Sequence, residues 1–341
     1  MNSDRVFLAY CNTGALANVT RPQARRLTHL NIAFGIVKDN LIDIEQVRAN
    51  AFYIRRLRDY NPDLVILLST GGGGRGGHGS ATRPEHIEAF VRSTLDAVRE
   101  LELDGIDCDW EFPCNTGDLA ERAQHVELIR RYRAGLDAYA AERGRRTWLT
   151  IAAACWDKYL EHTDVAACAP YLDFINLMTY DIRDCAWAEN WTGHHSNLRT
   201  PAEARYPDSV ELTVQKFHAL GIPLDKLVIG SAFYSRRWDN VPDVNHGYNQ
   251  RVDSPCVYGP SYTAISLIYE RDPEYVKYWD ESAQAAWLFN GSSFITYDDP
   301  RSMRAKARYV KESGVRGIMY WCHDSDDTGI LFNAIYDELF S

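Results

Sequence analysis

Eight short apolar runs, most of them separated by helix-patterned stretches, constrain this chain more than any other feature. They are RVFLAYC (5–11), HLNIAFGI (29–36), DLVILLST (63–70), GIDCDWE (105–111), WLTIAAA (148–154), FINLMTY (174–180), LVIGSAFY (227–234) and GIMYW (317–321). DLVILLST is apolar almost throughout, as a strand buried on both faces must be. Between the runs, PEHIEAFVRSTLDAVREL sets Ile87, Phe90, Val91, Leu95 and Val98 at helical spacing. RSMRAKARYVKESGV behaves similarly and ends in Gly314, a suitable C-cap. Strands joined through helices run parallel, with right-handed crossovers. Eight such units predict an α/β fold closed into a (β/α)8 TIM barrel, ahead of an open doubly wound sheet.

The spacing breaks once, between Tyr234 and Gly317. The stretch 239–297 is rich in Tyr, Asn, Pro and Ser and weakly periodic. It predicts a small α+β insertion between strands 7 and 8, on the C-terminal rim, where barrel loops carry function. Residues 1–238 and 298–341 then make the barrel. The length of 341 residues suits a barrel with such an insertion.

A net charge of −10 disfavours nucleic acid as a partner, because neutralising phosphates needs clustered Lys and Arg. No window approaches the roughly 18 apolar residues of a membrane span, so no membrane association is expected. MNSDRVFLAYCNTG has no apolar core of signal-peptide length. The eight cysteines are scattered, without a CxxC pair, and are expected to be free buried thiols.

The chemistry concentrates in LDGIDCDWEFP (103–113). Side chains on a strand alternate between faces. Asp107, Asp109 and Glu111 therefore share one face, and Ile106, Cys108 and Trp110 the other. The apolar set can bury under helices while the acids point into the barrel. Three neighbouring carboxylates cannot all ionise cheaply in a dehydrated site. Their mutual repulsion raises the proton affinity of one member. Glu111, at the strand's end, is the natural proton donor, which is what cleavage of a glycosidic bond requires. A Mg²⁺ site built from the same acids is the competing reading, but the chain offers no phosphate loop, and Trp110 and Phe112 crowd the run. No metal and no cofactor is expected.

Asp104-Gly105-Ile106-Asp107-Cys108-Asp109-Trp110-Glu111 resembles the DGxDxDWE signature of glycoside hydrolase family 18, the chitinase family, at every fixed position. Ser69-Thr70-Gly71-Gly72 is similar to its SxGG motif and Met178-Thr179-Tyr180-Asp181 to its MxYD motif. WTGHHSNL, GSAFYSRRW, YDDPRSM and GIMYWCHDSDDTG resemble its later segments, and the resemblance runs from about Arg5 to the C-terminus. YCNTGAL lacks the tryptophan that often follows the first strand in the family, which implies weaker aromatic stacking on the non-reducing side.

The resemblance implies a retaining, substrate-assisted hydrolase of β-1,4-linked N-acetylglucosamine in chitin or its oligosaccharides. Glu111 would be the acid and then the base. Asp109 would orient the substrate's acetamido N–H, and Asp107 would support Asp109 by sharing a proton. Tyr180 would bond the acetamido carbonyl. Trp321 would form the floor under the sugar. Met178, Asp181, Tyr234 and Arg236 would line the pocket, and Trp187 would lie on the leaving-group side. The family further implies action outside the cell and a monomer. An endo-β-N-acetylglucosaminidase acting on N-glycans or peptidoglycan, or a non-catalytic chitin-binding lectin, are the alternatives on the same barrel.

Three other signals point elsewhere and are set aside. The GxGxxG of GGGGRGGHG (71–79) suggests a dinucleotide site, but Asp96, at the right distance for the ribose-binding acid, falls in a helical pattern and does not end a second strand. His194-His195 is read as a loop hydrogen-bonding pair. HDSDDTG is read as Ca²⁺ ligands or as caps and turns.

Overall fold

The computed structural model describes residues 5–183, 190–203 and 205–341. Its eight parallel strands are Val6–Asn12, His29–Lys38, Val65–Gly71, Gly105–Asp109, Trp148–Ala154, Phe174–Met178, Leu227–Ala232 and Gly317–Trp321. Each pairs with its sequence neighbours, and the first pairs with both the second and the last, so the sheet closes into a (β/α)8 barrel. A short added strand, Leu41–Asp43, folds back antiparallel on the second. The sequence reading has no counterpart for it.

Alternation along the strands builds two apolar layers. Phe7, Ala9 and Cys11 pack outward into the layer between strands and helices, while Val6, Leu8 and Tyr10 pack into the lumen with Phe174, Val228 and Met319. The predicted stripe of Ile87, Phe90, Val91, Leu95 and Val98 is the buried face of helix Ile87–Glu100. Helix Pro300–Ser313 starts at Asp299, whose carboxylate accepts from the Ser302 N–H, and ends at Gly314 with φ 82°.

The insertion is a five-stranded antiparallel sheet with one helix, Tyr262–Leu267. Its strands lie in the order Val257–Ser261, Tyr234–Trp238, Phe294–Tyr297, Ala285–Phe289, Val276–Asp280. The sheet takes in Tyr234–Trp238, ahead of the expected start at Asp239, because the chain leaves the seventh barrel strand at Ala232 and enters the second sheet two residues later. Trp238, Trp287, Phe289 and Phe294 form the insertion's own core. Among the described residues no helix is long and apolar enough to cross a membrane.

Candidate active site

The acidic strand, Gly105–Asp109, is bounded by two different uses of carboxylates. Asp104, just before it, is buried and ion-paired to Arg58 and Arg143 at 2.6 Å each and to Arg145 at 3.4 Å. It also accepts from the Ile66 N–H. This pins the N-terminal end of the strand and takes no part in the site. Gly105 follows because a Cβ there would overlap the Trp148 carbonyl oxygen.

Asp107 lies deeper in the barrel than Asp109 and is fully buried. Its neighbours in register are Ser69 on one side and Thr150 on the other. One of its oxygens accepts from the hydroxyls of Tyr10 (2.9 Å) and Ser69 (2.8 Å). The other accepts from Thr150 (2.5 Å) and the Asn176 amide (3.1 Å). Burial pushes its pKa up, and the four donors pull it back without cancelling the rise.

Asp109 and Glu111 are hydrogen-bonded to each other. Four donors occupy Asp107, and Asp109 lines the cleft at the mouth of the barrel with Glu111. Burial, then the charges of Glu111 and Asp107, hold the Asp109 carboxyl well above the usual range. Burial also pushes Glu111 up to about 7, helped by the charge of Asp181 and opposed by the bond from Asp109, by Arg75 and by the Gly73 N–H. The pair thus holds a proton near neutrality. Asp109 Oδ1 is buried, and among the described residues no N–H or hydroxyl donates to it.

Glu111 and Tyr180 lie two residues beyond the ends of their strands, which stop at Asp109 and Met178. Asp181, at φ 56°, accepts from Arg236 Nε at 2.8 Å and lies 3.6 Å from His195 Nδ1. Burial alone would raise its pKa, but His195 and Arg236 bring it down to about 2. Tyr234 hydrogen-bonds the same carboxylate, and its ring meets Tyr180 edge-on at 6.1 Å. The guanidinium of Arg236 sits 3.7 Å from the centre of the exposed Tyr258 ring.

These groups face one cleft of about 460 Å³ at the C-terminal end of the barrel. Every barrel strand, or the loop after it, contributes, in chain order Tyr10, Phe34, Gly73, Glu111, Ala152, Tyr180, Tyr234 and Trp321. Trp321 stacks on Phe34, with centroids 5.6 Å apart and planes at 24°, and touches Tyr10 at 5.7 Å. An aromatic-lined cleft around one protonated acid suits a sugar ring, whose apolar face stacks on indole.

The comparisons agree with this geometry. Residues 7–326 match the sequence profile of glycosyl hydrolases family 18. The chain belongs to family 18. It is 30% identical to chitinase A1 of Niallia circulans over 86% of its own length and 45% of that protein's. It is 29% identical to mouse chitotriosidase-1, covering 88% of this chain and 67% of that one. The chain therefore spans about half to two thirds of the length of these curated relatives. Among solved structures, the family 18 N-acetylglucosaminidase of Paenibacillus barengoltzii superposes with a TM-score of 0.95 at 39% identity, covering 98% of this chain and all of that one. A class V chitinase from Nicotiana tobaccum, solved in complex with NAG4, gives a TM-score of 0.86 at 25% identity over 99% of both chains.

Within the family 18 cleft stand eight of the predicted residues: Asp109, Glu111, Met178, Tyr180, Asp181, Tyr234, Arg236 and Trp321. Asp107 lies beneath them. Trp187 falls outside the described residues. Sequence reasoning missed Tyr10, Thr150 and Asn176 around Asp107, and Phe34, Arg75, Phe112, Trp156 and Tyr258 around the cleft. A signal existed for Thr150 and Asn176, since each is a polar residue inside an apolar strand run. The aromatics gave none: Phe112 and Trp156 lie in loops without periodicity, and nothing local says that Phe34 and Tyr258, on strands, reach the cleft. His195 pairs with Asp181 and His194 with Asp280 at 3.4 Å, while Asp324 accepts from Asn12 and Asp326 from the Leu331 N–H. The seven described cysteines are free and buried.

Proposed function

We propose that this family 18 protein hydrolyses β-1,4 linkages between N-acetylglucosamine units in chitin and its oligosaccharides, with retention. The observation that carries the reading is the hydrogen-bonded pair Asp109–Glu111, protonated near neutrality at the mouth of an aromatic cleft. The two-carboxylate mechanism needs an ionised nucleophile. Burial and the charges of Glu111 and Asp107 disfavour ionisation of Asp109, and Asp181 is paired with Arg236 beside His195. As the family 18 resemblance implies, the substrate then supplies the nucleophile itself.

In the first step the 2-acetamido oxygen attacks C1, the C1–O glycosidic bond breaks, and the proton of Glu111 passes to the departing oxygen. The product on the enzyme side is an oxazolinium ion. In this reading a carboxyl oxygen of Asp109 accepts the acetamido N–H and orients the group. Tyr180, buried beside the pair, donates to the acetamido carbonyl oxygen and holds it in line with C1. In the second step water attacks C1, gives its proton to Glu111, and the C1–O bond of the oxazolinium ring opens to restore the acetamide with the β-configuration.

Trp321 supports the sugar at the cleavage position, with Met178, Asp181, Tyr234 and Arg236 as walls. The chain acts in this reading as a monomer. Retention of Glu111 in a formed cleft speaks against a lectin. The test is incubation with chitin oligomers of defined length, with anomers and product sizes followed by NMR and chromatography. β-anomers of N-acetylglucosamine or its dimer are the expected products. α-anomers, or release of sugar only from glycoproteins or peptidoglycan, would refute the reading.

A further inference from the structure

The sheet of the insertion holds an aromatic ring out at the rim of the cleft. Val257–Ser261 is an edge strand of that sheet and pairs with Tyr234–Trp238. Tyr258 and Arg236 stand directly opposite each other in this register, so their side chains share a face. The register shifts between Tyr258 and Ser261. There the Ser235 hydroxyl donates to the Pro260 carbonyl at 2.6 Å, and a Cβ on Gly259 would overlap Ser235 Oγ, so the chain passes too close for a side chain at 259. An irregularity of this kind re-aims the residue beside it, as bulges next to active sites do. The Tyr258 ring centre ends 3.7 Å from the Arg236 guanidinium and 5.8 Å from the Tyr234 ring. Arg236 is itself fixed, because its Nε donates to Asp181 at 2.8 Å. Tyr258 is thus held in place yet 70% exposed, where Tyr10, Phe34, Tyr180 and Tyr234 of the same cleft are buried.

We propose that Tyr258 is a stacking platform for a second N-acetylglucosamine unit, the one that precedes the unit at the cleaved bond, and so sets which chain lengths the enzyme prefers. The inference rests on the chitin reading above and names a residue that decides specificity within it. The Arg236 guanidinium covers one face of the ring. With most of the residue exposed, the other face is open, and an open aromatic face matches the apolar face of a pyranose. Two ring contacts separate Tyr258 from Tyr180: Tyr258 meets Tyr234 at 5.8 Å, and Tyr234 meets Tyr180 at 6.1 Å. The sugar held against Tyr180 and Trp321 is therefore a different unit from the one on Tyr258. The leaving unit has another place to go. Phe112 follows Glu111 in the chain and meets Trp156 at 4.9 Å, so an aromatic pair stands beside the proton donor itself. Because Tyr258 is already fixed by Arg236, a sugar that docks on it orders little further, which favours binding.

The test uses two readouts. The first is kcat/KM on nitrophenyl glycosides carrying one or two N-acetylglucosamine units, for the parent, Tyr258→Ala and Tyr258→Phe. The aryl group takes the leaving side in both substrates, and the longer one alone reaches Tyr258. The second is calorimetry of the N-acetylglucosamine dimer on Glu111→Gln, with and without Tyr258→Ala. Tyr258→Ala is expected to lower kcat/KM on the two-sugar glycoside by about three- to tenfold relative to the one-sugar glycoside, the range for one lost aromatic contact. The dimer Kd should rise by a similar factor, while Tyr258→Phe, which keeps the ring, stays close to the parent. Equal losses on both glycosides, or a dimer Kd that does not move, would overturn the proposal and leave the hydrolase reading intact, since Tyr258 would then only shield Arg236. A parent that cleaves neither glycoside nor chitin oligomers overturns the hydrolase reading, and the dimer calorimetry still decides whether Tyr258 holds a sugar.

Discussion

Asp109 is hydrogen-bonded to Glu111, two residues further along the same acidic run, while among the described residues no N–H or hydroxyl donates to its buried Oδ1. One carboxyl thus touches the acid at the mouth of the barrel. Asp107 cannot play that part, because four donors already surround it.

Glu111→Gln removes the proton that the leaving oxygen needs. We expect kcat on chitin oligomers to fall by about 10³-fold or more, with oligomer binding retained, measured by steady-state kinetics and calorimetry. Asp109→Asn should lower kcat by about 10²-fold, since its acid form is no longer coupled to Glu111.

Activity requires Glu111 in its acid form, and burial sets that group at about 7. The kcat/KM profile should therefore lose activity as pH rises through about 7. Stability follows the same sign. A carboxyl whose folded pKa is raised contributes stability below its unfolded value and loses it as pH climbs through the folded one. The window is from the ordinary 4.5 to about 7. Glu111→Gln should accordingly melt above the parent at pH 8, with the gain shrinking toward pH 5. Equal differences in Tm at the two pH values would contradict this.

Tyr180→Phe keeps the ring that packs on Tyr234 and removes the hydroxyl. The expected result is a drop in kcat of roughly 10- to 100-fold with KM nearly unchanged, because the group acts on alignment. A change in KM alone would place Tyr180 in ground-state binding.

Thr150→Val deletes one donor to the buried Asp107 at constant shape. Chemical denaturation should show a loss of about 1–3 kcal/mol, the cost of a charged group left short of a partner. At the other end of the strand, Asp104→Asn breaks three arginine contacts and should cost about 2–3 kcal/mol, below the full figure for a dry site because the arginines can reach water. Its kcat should stay at the parent's value.

How far the site was legible varies with the physics of each residue. Asp107, Asp109 and Glu111 could be placed on one face because strand alternation is local and has a fixed period. Ser69 came with its motif, but that it holds Asp107 depends on the register between two strands. Thr150 and Asn176 are polar residues in apolar runs, a signal the sequence reading passed over, and nothing local says which carboxylate they serve. Trp156 lies in a loop, and Phe34 and Tyr258 lie on the strands His29–Lys38 and Val257–Ser261, but which of their side chains reach the cleft follows from packing alone.

The amino-acid order by itself determined the eight strand-and-helix units, the insertion before the last of them, and an acid at the end of the fourth strand. Each of these follows from interactions between residues close in sequence or from a periodicity that any buried surface imposes. Closure of the barrel decided the rest. It brought Tyr10, Ser69, Thr150 and Asn176 from four strands onto Asp107, turned Asp109 toward Glu111, and set Arg236 and His195 on Asp181. Proton affinity is set by burial and by charges within a few ångströms, whatever their separation along the chain, so the state of Glu111 is a property of the assembled barrel.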